Sequence, residues 1–304
     1  MVSLSPGGKT KRQRRRLARL EPYLWVLPAV LVYAIFKLVP LVSGLYMALL
    51  RWDGIEDPRY IGLRNFQKIL NDDLTIQVLL NNVEYAIGTV IGKIVLSLFL
   101  AIMLNQALRG RTFYRTSLFM PVVMSFVVIG ILWRWLFNSE FGLINTLLGS
   151  LGLDVLTQDW LGDTNIALRS LIIVDIWKWY GFHMVIFLAG LQSIPSELYE
   201  AAKIDGASVW QQFRYVTLPM LQPVMIVNVT LSLMGAFNVF DIPYVMTEGG
   251  PANSTNVMAL HIYLRGFKFY RFGFSAALSY VLLVIVTVVA AIQLRLMARA
   301  DNAE

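Results

Sequence analysis

The sequence predicts an all-α membrane protein: six transmembrane helices with a cytoplasmic helix–turn–helix between the fourth and fifth. Three observations carry this. The 304 residues are 57% hydrophobic and only 15% charged, against about 45–50% and about 25% in a water-soluble chain. Six runs are long and apolar enough to cross a bilayer, which takes about 20 residues. Lys and Arg are also shared unevenly between the two sets of intervening loops, the asymmetry that orients a membrane protein. A chain this apolar does not stay solvated as a disordered polymer. With Cys 0 it has no disulfide, iron–sulfur, thiolate–zinc or cysteine-nucleophile chemistry.

A basic tail, 1–22, comes first. Lys9, Lys11, Arg12, Arg14, Arg15, Arg16 and Arg19 read as a topology determinant and a binder of anionic lipid headgroups, not of nucleic acid. The first apolar run is too long for a cleaved signal, and no small-residue cleavage site follows it. The membrane domain covers 23–298, with spans at about 24–50, 78–104, 113–137, 166–192, 220–246 and 272–297. A tail, 299–304, closes the chain. Backbone groups in lipid must be satisfied internally, so such runs are helices. The N-terminal tail, the loops after spans two and four and the C-terminus hold 14 Lys and Arg; the opposite loops hold 7 and most of the loop acids. Both termini and the 193–219 loop are therefore expected in the cytoplasm.

Several apparent motifs fail on inspection. Gly8-Lys9-Thr10 resembles the end of a phosphate loop, but Ser3 stands where that pattern needs glycine. His183 and His261 are the only histidines and form no zinc motif. Asp175 and Asp241 lack the usual Gly-Asp context of an intramembrane aspartyl dyad. No metal site and no catalytic set is expected. Gly88 and Gly92, four apart in span two, permit close helix approach.

Charged residues inside spans are costly and need partners. Asp175 and Lys178, three apart on one helical face, can pair with each other, as a structural pair or as part of the solute pathway. Glu84 and Lys93 face opposite ways and need separate partners. Lys37, just before Pro40, reads as a snorkelling or partner-contacting residue.

The 193–219 loop is too polar to span. Pro195 starts it, Ser196 is expected to cap a helix through about Ile204, and Glu197 suits its first turn. Gly206 turns the chain. Ser208 is expected to cap a second helix ending before Pro219. Leu198, Tyr199, Ile204, Val209, Trp210 and Phe213 supply apolar anchors beside the small Ala201, Ala202 and Ala207. From these residues alone a docked protein and a lipid surface remain alternative partners.

Glu200-Ala201-Ala202, then Gly206, then Val216, Leu218 and Pro219 at the matching spacing resemble the EAA loop of permease subunits in binding-protein-dependent ABC importers. Val216 stands where the family pattern has Ile. Trp133-Arg134-Trp135-Leu136-Phe137-Asn138 resembles the carbohydrate branch, and Phe240-Asp241 through Gly249-Gly250-Pro251 is similar to the MalF-like subunit rather than its MalG-like partner. The resemblance implies a cell-membrane permease, in the inner membrane of a diderm. It implies a second, MalG-like permease, two ATPase subunits that bind ATP and magnesium, and an external solute-binding protein. No cofactor is expected in this chain. Glu200, Ala201, Ala202, Asp205 and Gly206, with Leu218 and Pro219 closing the motif, would dock the ATPase.

Sugar sites combine aromatic faces with amide and hydroxyl groups. Spans four and five offer Trp179, Tyr180, Phe182 and His183, and Asn228, Ser232, Gly235, Ala236, Asn238, Val239 and Asp241. Positions 228, 232, 235 and 239 are expected to share one face. The resemblance places the MalF-like site near Phe182, Ser232, Ala236 and Val239. The loop 247–271, with its Gly249-Gly250-Pro251 turn and the aromatic run 267–272, would face the binding protein.

Overall fold

The computed structural model describes residues 22, 23, 25–106 and 109–301. The basic tail up to residue 21 and the end of the C-terminal tail, 302–304, lie outside the described residues. Helix α1 (Trp25–Ala48) leads into a two-stranded hairpin, β1 (Leu50–Arg51) with β2 (Arg59–Tyr60), paired Leu50 to Tyr60. Short α2 (Arg64–Leu70) precedes the long α3 (Asp73–Asn105), which Asp72 caps through the Thr75 N–H at 3.2 Å. Then come α4 (Arg111–Val123), α5 (Phe126–Leu136), α6 (Leu143–Ser150) and α7 (Ala167–Ser193). The hairpin helices are α8 (Ser196–Ile204) and α9 (Val209–Met220). The chain ends with α10 (Gln222–Phe237), α11 (Asp241–Thr247), α12 (Met258–Tyr263) and α13 (Phe272–Asp301).

The most extensive packing joins α3 and α7. They run parallel: Gly88 lies against Ile172, Gly92 against Ile176, and Ser97 Oγ donates to the Tyr180 carbonyl at 2.8 Å. A Cβ on Gly88 would come within 3.0 Å of Ile172, and one on Gly92 would collide with Ile176. The glycine pair therefore sets the helix separation by van der Waals approach. Along these helices two apolar clusters are separated by a polar layer. One cluster holds Val78, Tyr85, Leu171 and Ile242, the other Ala101, Met184, Phe187 and Leu221. Between them lie Lys93, Asp175, Lys178, His183, Asn228 and Ser232, all buried.

Among the described residues, four helices are long and apolar enough to cross a membrane on their own. The third and fifth apolar runs, expected as single helices, are broken. The third bends by 97° between α4 and α5, with Met124 and Ser125 extended. Pro121 removes an N–H from that last turn, and Lys178 of α7 donates to the Pro121, Val122 and Met124 carbonyls at the break between the two helices. Gly181 lets α4 sit directly on α7; a Cβ there would meet the Leu118 carbonyl. The fifth run stops at Phe237 and resumes at Asp241. Asn238 Nδ2 donates to the Met234 carbonyl at 2.8 Å, capturing the acceptor its own backbone N–H would have used.

Proline elsewhere bends the ladder without ending it. A π-turn at Ala34–Leu38 precedes Pro40, and another at Phe213–Thr217 precedes Pro219. A π-turn absorbs the ring and the missing donor by shifting hydrogen bonds one residue on. The second hairpin helix consequently continues through Pro219 to Met220, where it was expected to end before that proline. The chain then turns by 67° into α10.

Candidate functional site

Backbone hydrogen bonds shape the α8–α9 hairpin. Asp205 ends α8, Gly206 N–H donates to the Lys203 carbonyl at 3.0 Å, and Ala207 N–H reaches the Ala202 carbonyl at 2.9 Å. This is the paired closure of a Schellman turn, whose left-handed residue favours glycine. Gly206 has φ +78°, and a Cβ there would touch nothing within 4 Å, so the demand for glycine comes from the backbone alone. Ser208 caps α9: its Oγ accepts from Gln211 N–H at 3.3 Å while Gln211 Oε1 accepts from Ser208 N–H at 2.7 Å. Ser196 does not cap α8. It is the first helical residue, and Pro195 occupies the cap with no side-chain bond.

Tyr199 Oη and Thr217 Oγ1 meet at 3.0 Å and tie the two helices together. Tyr199 is thereby turned inward and is not a free anchor. At the tip Ile204 is 87% exposed, Val209 83% and Trp210 69%. Glu200, Ala201, Asp205, Gly206 and Pro219 are exposed, Ala202 and Leu218 half-buried. Among the described residues Glu200 has no ion-pair partner.

The buried polar layer is wired differently from the expected pattern. Asp175 pairs with Lys93 of α3, not with Lys178. Lys178 Nζ donates to the carbonyls of Pro121 and Val122 at 3.3 Å and of Met124 at 2.7 Å. It also lies 4.4 Å from the Phe126 ring centroid, a cation–π distance. Glu84 does face away from Lys93 and meets Arg169 at 3.3 Å on the exposed side. Lys37 is exposed.

The expected solute-pathway residues separate into two sets. Tyr180, His183, Asn228, Ser232, Ala236 and Val239 are buried within the chain. His183 Nδ1 and Asn228 Oδ1 meet at 2.8 Å, and Asn228 Nδ2 donates to the Val224 carbonyl at 3.1 Å. These two side chains satisfy each other. Gly235, Asn238 and Asp241 are exposed, and Trp179 and Phe182 are half-buried. Gly235 therefore does not share the buried face with 228, 232 and 239; Ala236 takes that place. The residues left open to a solute form an aromatic ladder, Phe126–Trp179–Phe182, with centroids 6.1 and 5.9 Å apart, and a strip of α10–α11 at Gly235, Asn238 and Asp241.

The 247–257 loop is anchored to α3. Asn81 Nδ2 donates to the carbonyls of Asn253 and Asn256 at 2.9 and 3.0 Å, and Asn82 Oδ1 accepts from Met258 N–H at 3.0 Å. Behind it His261 is 1% exposed, beside Asn256 at 3.3 Å and Arg265 Nε at 3.4 Å. Burial, then the Arg265 guanidinium, depresses this imidazole from 6.5 to about 4. The unfolded chain therefore takes up a proton first, and stability falls on acidification from about pH 6.5 to pH 4, by about 3 kcal/mol in full. His261→Gln is expected to flatten that part of the pH–melting curve; an unchanged slope between pH 7 and pH 4.5 would contradict it.

The model of the family described as "Binding-protein-dependent transport system inner membrane component" matches residues 93–302, from the buried Lys93 through the hairpin to α13. The chain belongs to this family. The permease is 36% identical over 280 residues to the "Probable ABC transporter permease protein YurN" of Bacillus subtilis (strain 168), covering 91% of this chain and 96% of the relative. It is 36% identical over 281 residues to the "Arabinooligosaccharides transport system permease protein AraP" of the same organism, covering 91% and 88%. Its fold is shared with the crystal structure of a bacterial ABC transporter involved in import of the acidic polysaccharide alginate. The TM-score is 0.82 over 95% of this chain and 99% of that one, at 23% identity. The permease is thus a non-enzymatic inner-membrane component of a binding-protein-dependent ABC importer.

Sequence reasoning missed Lys93 as the partner of Asp175 and the carbonyl triplet that holds Lys178. The Gly88/Gly92 approach was the available signal for the first. It names the face of α3 that meets a neighbour, but not which helix the neighbour is.

Proposed function

We propose that the permease is the MalF-like half of a sugar importer's membrane domain, paired with a MalG-like subunit and driven by two ATPases that carry ATP and magnesium. The observation that carries this is the hairpin: a turn closed at the backbone, a capped second helix, and an apolar tip of Ile204, Val209 and Trp210 that no described residue covers. A lever that transmits motion must be internally rigid and externally sticky, and this hairpin has both properties. The charge asymmetry supports placing it, and both termini, in the cytoplasm. Glu200, Ala201, Ala202, Asp205 and Gly206, with Leu218 and Pro219 at its base, would form the docking surface.

The carbohydrate class draws support from the transport role in the name of AraP and from the open aromatic ladder. Trp179 and Phe182 would stack on sugar rings, while Asn238 and Asp241 offer polar contacts. The buried His183, Asn228 and Ser232 would shape the wall behind them.

Gly206→Ala tests the lever. A left-handed non-glycine residue costs about 1–2 kcal/mol, which disfavours the closed turn by a factor of about 5–30. In the reconstituted importer, uptake and solute-stimulated ATP hydrolysis are expected to fall by up to that factor while membrane insertion is unchanged. Unaltered stimulation and uptake would reject the docking role.

A further inference from the structure

A groove of about 680 Å³ opens between the β1–β2 hairpin, α2 and the start of α13. Arg51, Arg59, Arg64, Lys68 and Arg271 line it, and all five are exposed. Among the described residues none of them is in an ion pair; Lys68 only lies 5.6 Å from the Phe274 ring. Three carboxylates share the rim, Asp53, Glu56 and Asp57. Asp53 is occupied by its own turn, accepting from the N–H groups of Ile55 at 3.0 Å and Glu56 at 2.9 Å. Five cations against three carboxylates leave a net positive groove.

Its place in the fold limits what fills it. The groove lies where α1 ends, at Ala48, and α13 begins, at Phe272, so it sits at the end of two membrane-crossing helices. Exposed Phe269 and Tyr270 line it, and exposed Tyr60 stands in the chain between the lining residues Arg59 and Ile61; aromatic residues collect at the depth of lipid headgroups. Below the mouth, α1 presents Leu41, Val42 and Leu45 outward, a surface suited to acyl chains. The cations are also concentrated on the side that the charge asymmetry assigns to the outside, where a membrane protein carries few of them.

We propose that this groove binds the phosphodiester headgroup of an anionic phospholipid. Guanidinium groups supply paired donors to phosphate oxygens, and acyl chains lying along the apolar surface of α1 would hold the headgroup beside them. The inference rests on the membrane-spanning fold and is independent of the sugar reading.

The test uses the full chain in phosphatidylcholine nanodiscs carrying a minor share of phosphatidylglycerol, with retained lipid measured by mass spectrometry after detergent extraction. Each basic residue near a membrane surface contributes about fivefold to anionic-lipid affinity. The double variant Arg64→Gln/Arg271→Gln is therefore expected to lower phosphatidylglycerol retention about 25-fold. Arg51→Gln/Arg59→Gln, from the opposite wall, should act likewise, so a folding defect in one variant does not decide the matter. Unchanged retention in both would overturn the site. Displacement of the lipid by inorganic phosphate at millimolar concentration would reassign the groove to a free anion. If lipid is retained in both variants but the solute-loaded binding protein no longer docks, the groove is a protein contact and the lipid site falls.

Discussion

Asp175→Ala is expected to destabilise the permease by about 3–5 kcal/mol, because it leaves a buried cation without its counter-charge. Lys93 is 3% exposed and Asp175 is 4% exposed, so neither reaches water when the other is removed. The cost comes from the stranded partner more than from the lost attraction. Replacing both with apolar residues of similar size, Lys93→Met with Asp175→Leu, should therefore recover most of the loss. Thermal unfolding in detergent of the two single variants and the double variant completes a cycle. Costs of the singles that simply add in the double would refute the pairing. The same cycle run on Asp175 and Lys178 should return a smaller coupling, since those two residues bond elsewhere.

Lys178→Met is expected to have the second large effect, through the shape of the third span. Its Nζ is the shared donor to three carbonyls at the end of α4. The Pro121 carbonyl keeps a second partner, the Met124 N–H at 3.3 Å; among the described residues the Val122 and Met124 carbonyls have no other donor. A stranded carbonyl costs about 1–3 kcal/mol when fully buried; Val122 and Met124 are half-buried, so a loss of about 1–3 kcal/mol for the pair is expected, and the 97° bend is the element that relaxes. Phe126 leaves its station against Trp179 with it, so the aromatic ladder loses its order. Lys178→Arg should rescue little, since a planar guanidinium does not converge on three carbonyls as an ammonium does. The measurement is the melting temperature together with solute uptake. A Lys178→Met permease with unchanged melting and solute affinity would show that the bend stands without the pin.

These two residues also mark how far the sequence could be read. Composition, six apolar runs and the Lys/Arg asymmetry were enough for a helical membrane protein. Gly206, Ser208 and the residues around them specified a turn and a capped helix, because caps and left-handed turns depend on neighbours within a few positions. The close approach at Gly88 and Gly92 was legible for the same reason: a missing side chain is a local fact with a local consequence. Other local signals were misread. Asn238 bonding back to Met234 and the π-turn before Pro219 use only nearby residues, yet pattern and composition predict an uninterrupted helix in span five and a helix end at Pro219.

Helical period names residues that share a side of one helix. It carries no information on how that helix is rotated against its neighbours, so Asp175 and Lys178 looked like mutual partners and Gly235 looked as buried as Ser232. The sequence by itself determined that this chain crosses the membrane as helices and carries a rigid hairpin between two of them. Only the tertiary structure decided where the third span breaks and which buried charges meet. A carbonyl freed at Met124 is satisfied by an amine that lies 54 positions along the chain, and in a medium without water such a bond exists only where folding brings donor and acceptor together.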